Sequence, residues 1–323
     1  MTVTASWQSA LEQLTERTRA QIRRDEPLSR HTTLRVGGPA DLFLYAKDRD
    51  TLADAAALAQ RLDLPVLLLG EGSNVCIGDS GIRGMTIRNG CRAADIGPIT
   101  LAECGCNFMR LFLLTMRASL SGLEFAVGIP GTVGGALVSN AGAYRANICD
   151  LVRRIEVVEQ GERRWVGPEW MEFSYRDSRL RRDGGIPAAL LAVELQLTPG
   201  CKTDIRLKAK DFQYQRILKQ PWEPSAGSWF KNVLDRDLAE SLSTLPKPMK
   251  EAGVVPAGYL TEACGLKGFT VGGAMIAPRH ANFIVNRGDA TASDLRAVAE
   301  TAKQRVLERF GVCLEAEVMC IGD

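Results

Sequence analysis

Apolar residues fall at helical spacing in some stretches of the chain and alternate or cluster in short runs in others, which predicts interleaved helices and strands. Trp7, Leu11, Leu14 and Ile22 mark a peripheral amphipathic helix over residues 6–22. Residues 29–45 read as strand, turn and strand, with the turn at Gly37, Gly38 and Pro39. The alanine- and leucine-rich 50–62 predicts a helix, and LPVLLL at 64–69 predicts a strand buried on both faces, together a β-x-α-β unit. Breakers at Asp79, Gly81 and Gly84 predict a hairpin leading into 85–87.

Beyond Pro98 a short strand runs into a helix over 107–119, where Phe108, Leu111, Phe112 and Met116 line one face as core. Alternation at 152–158 and 188–197 predicts a second small sheet. Residues 200–211 read as a charged connection between lobes and 212–218 as a short helix ended before Pro221. The last third predicts a compact α+β unit. It has a helix over 257–265 closed by Gly265, strands at 272–276 and 283–286, and a helix capped at Thr291 or Ser293 and stopped by Gly311. A final strand over 312–321 would put Glu315 and Glu317 on one face, about 7 Å apart at the usual rise. Periodicity does not choose between these two carboxylates.

Composition narrows the function. The chain has 323 residues, 46% hydrophobic and 24% charged, enough for two or three domains and a sizeable core. A formal charge of +2 is too small for an electrostatic nucleic-acid footprint. No apolar run reaches membrane-spanning length and no signal segment is expected at the N-terminus. Nine scattered cysteines read as reduced thiols of a cytoplasmic protein. With only two histidines beside the C-x-C of Cys104 and Cys106, no metal site is expected.

The candidate chemistry starts at residues 128–143, GIPGTVGGALVSNAGA, where five glycines bare the backbone along a path suited to a close-lying anion, a phosphate first of all. A second such stretch, GEGSNV at 70–75, follows a strand end, the usual ligand position of open α/β sheets. It is not a dinucleotide fingerprint, because Val75 replaces the third glycine and no helix opens after it. Tyr175, Arg176 and Asp177 form a polar cluster that suits a solvated loop as well as a site, and Ser228 sits between Gly227 and the pair Trp229–Phe230. No G-x-S-x-G elbow supports a serine hydrolase.

Taken in order, these stretches resemble the UDP-N-acetylenolpyruvoylglucosamine reductase family over about residues 28–322. The resemblance rests on TLRVGGPA at 33–40, GEGSNV at 70–75, GIPGTVGGA at 128–136, NAGAY at 140–144, YRDS at 175–178, GSWFKN at 227–232, AGYLTE at 257–262 and LEAEV at 314–318. It implies an α+β fold: a two-lobed FAD-binding domain of the PCMH or vanillyl-alcohol-oxidase type, plus a C-terminal α+β substrate-binding domain. The expected divisions are 1–92 and 93–212 for the two FAD lobes and 213–323 for the substrate domain, in the short form without an extra substrate-covering insertion.

The same resemblance implies the residue roles. Non-covalent FAD is held by Gly70, Gly72, Ser73 and Asn74 and by Gly128, Ile129, Pro130, Gly131, Thr132, Gly134, Gly135, Asn140, Ala141 and Gly142. NADPH reduces the FAD and leaves, and hydride then passes to the methylene carbon of UDP-N-acetylglucosamine enolpyruvate, in peptidoglycan precursor synthesis. Ser228 matches the proton donor that quenches the resulting carbanion, and Arg176 and Glu317 match the pair at the substrate carboxylate. Tyr175, Lys219 and Asn232 match substrate contacts. The sequence departs from the family's usual residues at Arg145, Val233 and Met319, leaving room for a paralogue acting on a related enol ether. A flavin oxidase of the same fold and a non-catalytic nucleotide-sugar binder are the alternatives, and the protein is expected to be a monomer free of nucleic acid and membrane.

Overall fold

The computed structural model describes residues 5–18, 20–182 and 188–322, without the side chains of 5–10 and 17. The chain divides into two compact units. The first comprises residues 1–27, 39–71 and 82–218, and the second 28–38, 72–81 and 219–323.

Two sheets build the first unit. One has four strands in the order Ile22–Pro27, Pro39–Ala46, Ile82–Asn89, Val66–Leu69, the first pair antiparallel and the rest parallel. The other has five antiparallel strands, Glu162–Val166, Val152–Glu159, Ala189–Gln196, Ile99–Glu103 and Ala94–Asp95. The helix Arg49–Arg61 touches both, and its sequence explains how. Ala53, Ala55, Ala56, Ala57 and Ala59 are buried in one cluster with Leu44 and Ile87 of the first sheet and Ala189 and Leu191 of the second. A helix surfaced in methyl groups lets backbones approach on two sides without leaving a void. Asp48 caps it by accepting from the Thr51 amide at 2.8 Å. The helix Phe108–Arg117, capped by Asn107, buries Phe108, Leu111 and Phe112 in a separate core with Phe125, Ile155 and Val193.

The second unit is a four-stranded antiparallel sheet, Ser225–Ser228, Phe283–Asn286, Ala274–Ile276, Thr270–Val271, packed by the helix Ala292–Phe310. Thr291 and Asp294 form a capping box at that helix's start, and Gly311 at φ +69° ends it. The inserted segments are part of this unit's core, through Leu34, Val36 and Cys76. Asp79 reaches the start of the same helix, accepting from the Ala292 amide at 2.8 Å and from the amide and hydroxyl of Ser293 at 3.0 and 2.8 Å. A carboxylate there satisfies amides that the helix itself cannot.

Six local expectations change. The first helix is Ala5–Thr18, with Leu11 and Leu14 buried; Ile22 instead opens a strand, and the side chain of Trp7 lies outside the described residues. Residues 29–36 are not a strand: Thr32, Leu34 and Val36 are buried in alternation, but Arg35 at φ +57° breaks the extended chain after a 3-10 turn at Leu28–His31. No hairpin spans 79–87, because Val75–Ile77 pairs with Met319–Ile321 while Ile82–Asn89 enters the parallel sheet. The strand Val66–Leu69 is a sheet edge with only Leu69 fully buried. Residues 202–219 form one helix, Lys202–Lys219, whose charged residues other than Arg216 face solvent over the buried Ile205 and Ala209. Finally, only Met319–Ile321 of the terminal stretch is a strand.

Candidate functional site

Within the first unit the two glycine stretches meet. A Cβ on Gly70 would stand 2.5 Å from the Thr132 hydroxyl, so the strand end and the loop touch backbone to side chain. The Asn107 amide donates to both oxygens of Glu71, at 3.1 and 2.9 Å, and the Phe108 amide donates to Gly131 O at 2.9 Å. Gly128 and Gly131 have φ of +72° and +108°, the region that excludes most side chains. The amides of Val133, Gly134 and Gly135 are engaged internally, with Cys106 O, Cys104 O and Thr132 Oγ1. They therefore shape the loop and do not point at an anion.

Arg216, in the stretch read from sequence as a short helix, lies against this loop. A Cβ on Gly128 would fall 2.9 Å from its Cδ, and its guanidinium stands 5.7 Å from the centroid of Tyr144, which stacks on Phe212 at 3.7 Å. Burial holds the Arg216 guanidinium below its usual pKa, and nearby Arg176 adds to the effect. Its Nε is buried with no hydrogen-bond partner among the described residues. A buried arginine beside a bare glycine backbone fits a diphosphate such as that of FAD, whose negative charge would offset its burial and partner its Nε.

The tyrosine–arginine cluster docks on the same loop. Residues 174–177 form a tight turn with Arg176 at φ +55°, a strained conformation for this residue. The Arg176 guanidinium donates to the carbonyls of Gly142 and Asn140, Asn140 donates to Ser174 O at 2.8 Å, and Ser178 donates to Val138 O at 2.7 Å. Asn140, Gly142, Tyr175 and Arg176 are thus brought together, with Tyr175 exposed. Tyr144 and Arg145 also have positive φ, +54° and +65°, a backbone region that glycine adopts more readily than arginine.

The second unit gathers Asn74, Ser228 and Glu317. Ser228 ends its strand after a register shift, with Gly227 at φ +81° supplying the bend. Trp229 and Phe230 are fully buried behind it, locked by Asn282, which accepts from both amides and donates to Phe230 O at 2.9 Å. The Trp229 carbonyl accepts from the Glu317 amide at 2.8 Å, while Asn74 donates its side chain to Glu317 O at 3.1 Å and accepts from the Met319 amide at 3.0 Å. Glu315 is exposed and paired with Lys231, whereas Glu317 is half-buried beside the serine's neighbour. Packing thus separates two carboxylates that alternation left equivalent. Asn232 accepts from the Ala257 amide at 3.3 Å, and Lys219 is exposed at its helix end. His280 sits near Lys219, and burial holds its pKa down. No group of metal-ligating side chains occurs among the described residues.

Gly72 has φ +64°, and a Cβ there would lie 2.2 Å from His31 O. Gly72→Ala is expected to destabilise the protein by about 2–5 kcal/mol, roughly 1–3 from overlap and 1–2 from the left-handed backbone. Urea unfolding measures this directly.

Comparison with known proteins gives these clusters a context. Residues 40–166 match the FAD binding domain family, and residues 219–321 match the UDP-N-acetylenolpyruvoylglucosamine reductase C-terminal domain. A reductase of that name from Heliobacterium modesticaldum is 39% identical over 317 residues, 96% of this chain and 94% of its own. One from Halalkalibacterium halodurans is 37% identical over 97% of this chain and 100% of its own. The crystal structure of the Thermus caldophilus enzyme aligns with a TM-score of 0.74 at 32% identity, covering 94% of this chain and 99% of that one.

Proposed function

The chain belongs to the UDP-N-acetylenolpyruvoylglucosamine reductase family, and from that premise we propose that it reduces UDP-N-acetylglucosamine enolpyruvate to UDP-N-acetylmuramate with NADPH, in the cytoplasm. The observation that carries this reading is that the Glu317 amide donates to the carbonyl of Trp229, the residue after Ser228, while Asn74 holds Glu317 O, since a proton donor and a carboxyl group must be held rigidly to serve one reacting centre. When bound, FAD supplies the two-electron chemistry, accepting hydride from NADPH and delivering it to the enolpyruvyl methylene carbon.

The chain's own residues do the rest. In the proposed roles Gly128, Gly131 and Arg216 hold the cofactor's diphosphate, and Gly70 with Thr132 sets how closely it approaches the backbone. Arg176 and Glu317 hold the substrate carboxylate, where negative charge builds as the neighbouring carbon becomes carbanionic. Ser228 gives that carbon its proton; a hydroxyl is a weak acid, but a carbanion is a strong enough base to take it. Tyr175, Lys219 and Asn232 make outer substrate contacts, with Lys219 suited to the diphosphate by its exposed charge. Two lobes over 1–92 and 93–212 for FAD and a substrate domain over 213–323 complete the proposed organisation.

The purified protein is expected to be yellow, and to oxidise NADPH only when the enolpyruvyl sugar is added. A colourless protein that FAD cannot reconstitute would overturn the reading, and rapid reoxidation by air without the sugar would favour an oxidase.

A further inference from the structure

The second unit carries a cysteine pair with no part in the chemistry above. Met319–Ile321 runs parallel to Val75–Ile77, and the register sets Cys320 directly opposite Cys76. Opposed residues on neighbouring strands lie about 4.8 Å apart with side chains on one face, inside the roughly 4.4–6.8 Å between Cα atoms that a disulfide spans. Each thiol stands close enough to the other to shift its pKa, Cys76 upward and Cys320 downward. They differ in setting: Cys76 is buried among the second unit's core residues, and Cys320 is exposed. Arg296, on the helix Ala292–Phe310, donates to Gly322 O at 2.6 Å and also hydrogen-bonds the Cys320 thiol.

We propose that Cys320 and Cys76 are a peroxide-responsive thiol pair, in which exposed Cys320 is oxidised first and buried Cys76 resolves it to a disulfide. The Cys320 thiolate attacks one oxygen of hydrogen peroxide and the O–O bond breaks, leaving a sulfenic acid and a hydroxide that takes up a proton to become water. Cys76 then loses its proton as its sulfur attacks the sulfenic sulfur. The S–S bond forms, the S–O bond breaks, and a second water leaves, so two thiols and one peroxide give one disulfide and two waters. The neighbouring Cys76 thiol, aided by the charges of Arg296 and Lys303, lowers the Cys320 pKa below the ordinary thiol range and makes it the attacking group. The proximity of Cys320 and burial raise Cys76, which suits a resolving thiol that reacts only after its partner. The cross-link would reinforce a seam that already ties Asn74 to Glu317 and Met319, and Gly78 to Ile321.

The test uses the full-length flavin-loaded protein, reduced, then treated with hydrogen peroxide, alkylated and peptide-mapped by mass spectrometry. The expected product is a peptide pair joined through Cys76 and Cys320 with two hydrogens lost. Before oxidation, Cys320 should alkylate about tenfold faster at neutral pH than the exposed Cys201 and Cys313, as a lowered thiol pKa dictates. Cys76→Ser should stop the reaction at a Cys320 sulfenic acid that dimedone traps. The wild-type map decides the matter even if that variant fails to fold. Equal alkylation of the three exposed thiols, or Cys320 over-oxidised with Cys76 still alkylatable, would overturn the proposal.

Discussion

Ser228→Ala is expected to slow reoxidation of the reduced protein by the enolpyruvyl sugar by about 10²–10⁴-fold, the usual contribution of a positioned proton donor, while reduction by NADPH stays nearly unchanged. The asymmetry follows from where the residue sits. Trp229 and Phe230 are fully buried and fixed by Asn282, and the bend at Gly227 precedes the serine, so removing one half-buried oxygen leaves the strand end in place. Hydride delivery can still occur, but the carbanion must then wait for water. Stopped-flow absorbance separates the half-reactions, since each has its own flavin bleaching or recovery. A matched loss in both would remove Ser228 from the protonation step and return it to a structural role. Ser228→Cys, which keeps a transferable proton, should recover part of the second rate and none of the first.

The residues that carry this argument were legible because they lie in ordered motifs, while their arrangement was not. The run at 29–36 reads as a strand because nothing in the pattern marks Arg35 as left-handed, although Leu34 and Val36 do turn inward. The same blindness applied to Arg176, whose positive φ belongs to a turn held by Asn140, 34 residues before its partner Ser174, and by Ser178, 40 residues after its partner Val138. Glu315 and Glu317 were equivalent by period and became distinct only through Lys231 and the Trp229 carbonyl. Arg216 was hidden for another reason: a single arginine in a charged helix reads as solvated, and only packing against Gly128 and Tyr144 makes it a buried cation. The alanine face of Arg49–Arg61 needed no such help, because small buried residues at helical spacing carry the packing in their own sequence.

Arg176→Lys is expected to lower the rate of reoxidation by the enolpyruvyl sugar by about 10²–10³-fold, the cost of removing one preorganised donor from developing negative charge. Lysine keeps the charge but loses the planar fork that grips a carboxylate through two parallel hydrogen bonds. Two roles compete for this side chain. Its guanidinium now donates to the carbonyls of Asn140 and Gly142, so it could serve only as a latch for the glycine stretch. A latch and a substrate clamp predict different losses. If Arg176 were only a latch, Arg176→Lys would loosen the cofactor loop, weaken FAD retention and slow both half-reactions together. If it binds the substrate carboxylate, FAD retention and reduction by NADPH persist and only the second half-reaction falls. The backbone favours the second outcome: the turn is held by Ser174 pairing with Asp177, by Asn140 and by Ser178, all of which survive the substitution. A side chain kept on a strained φ of +55° by that many other contacts is free to exchange its carbonyl partners for a carboxylate, so titration of FAD into the apoprotein should give the same affinity for variant and wild type.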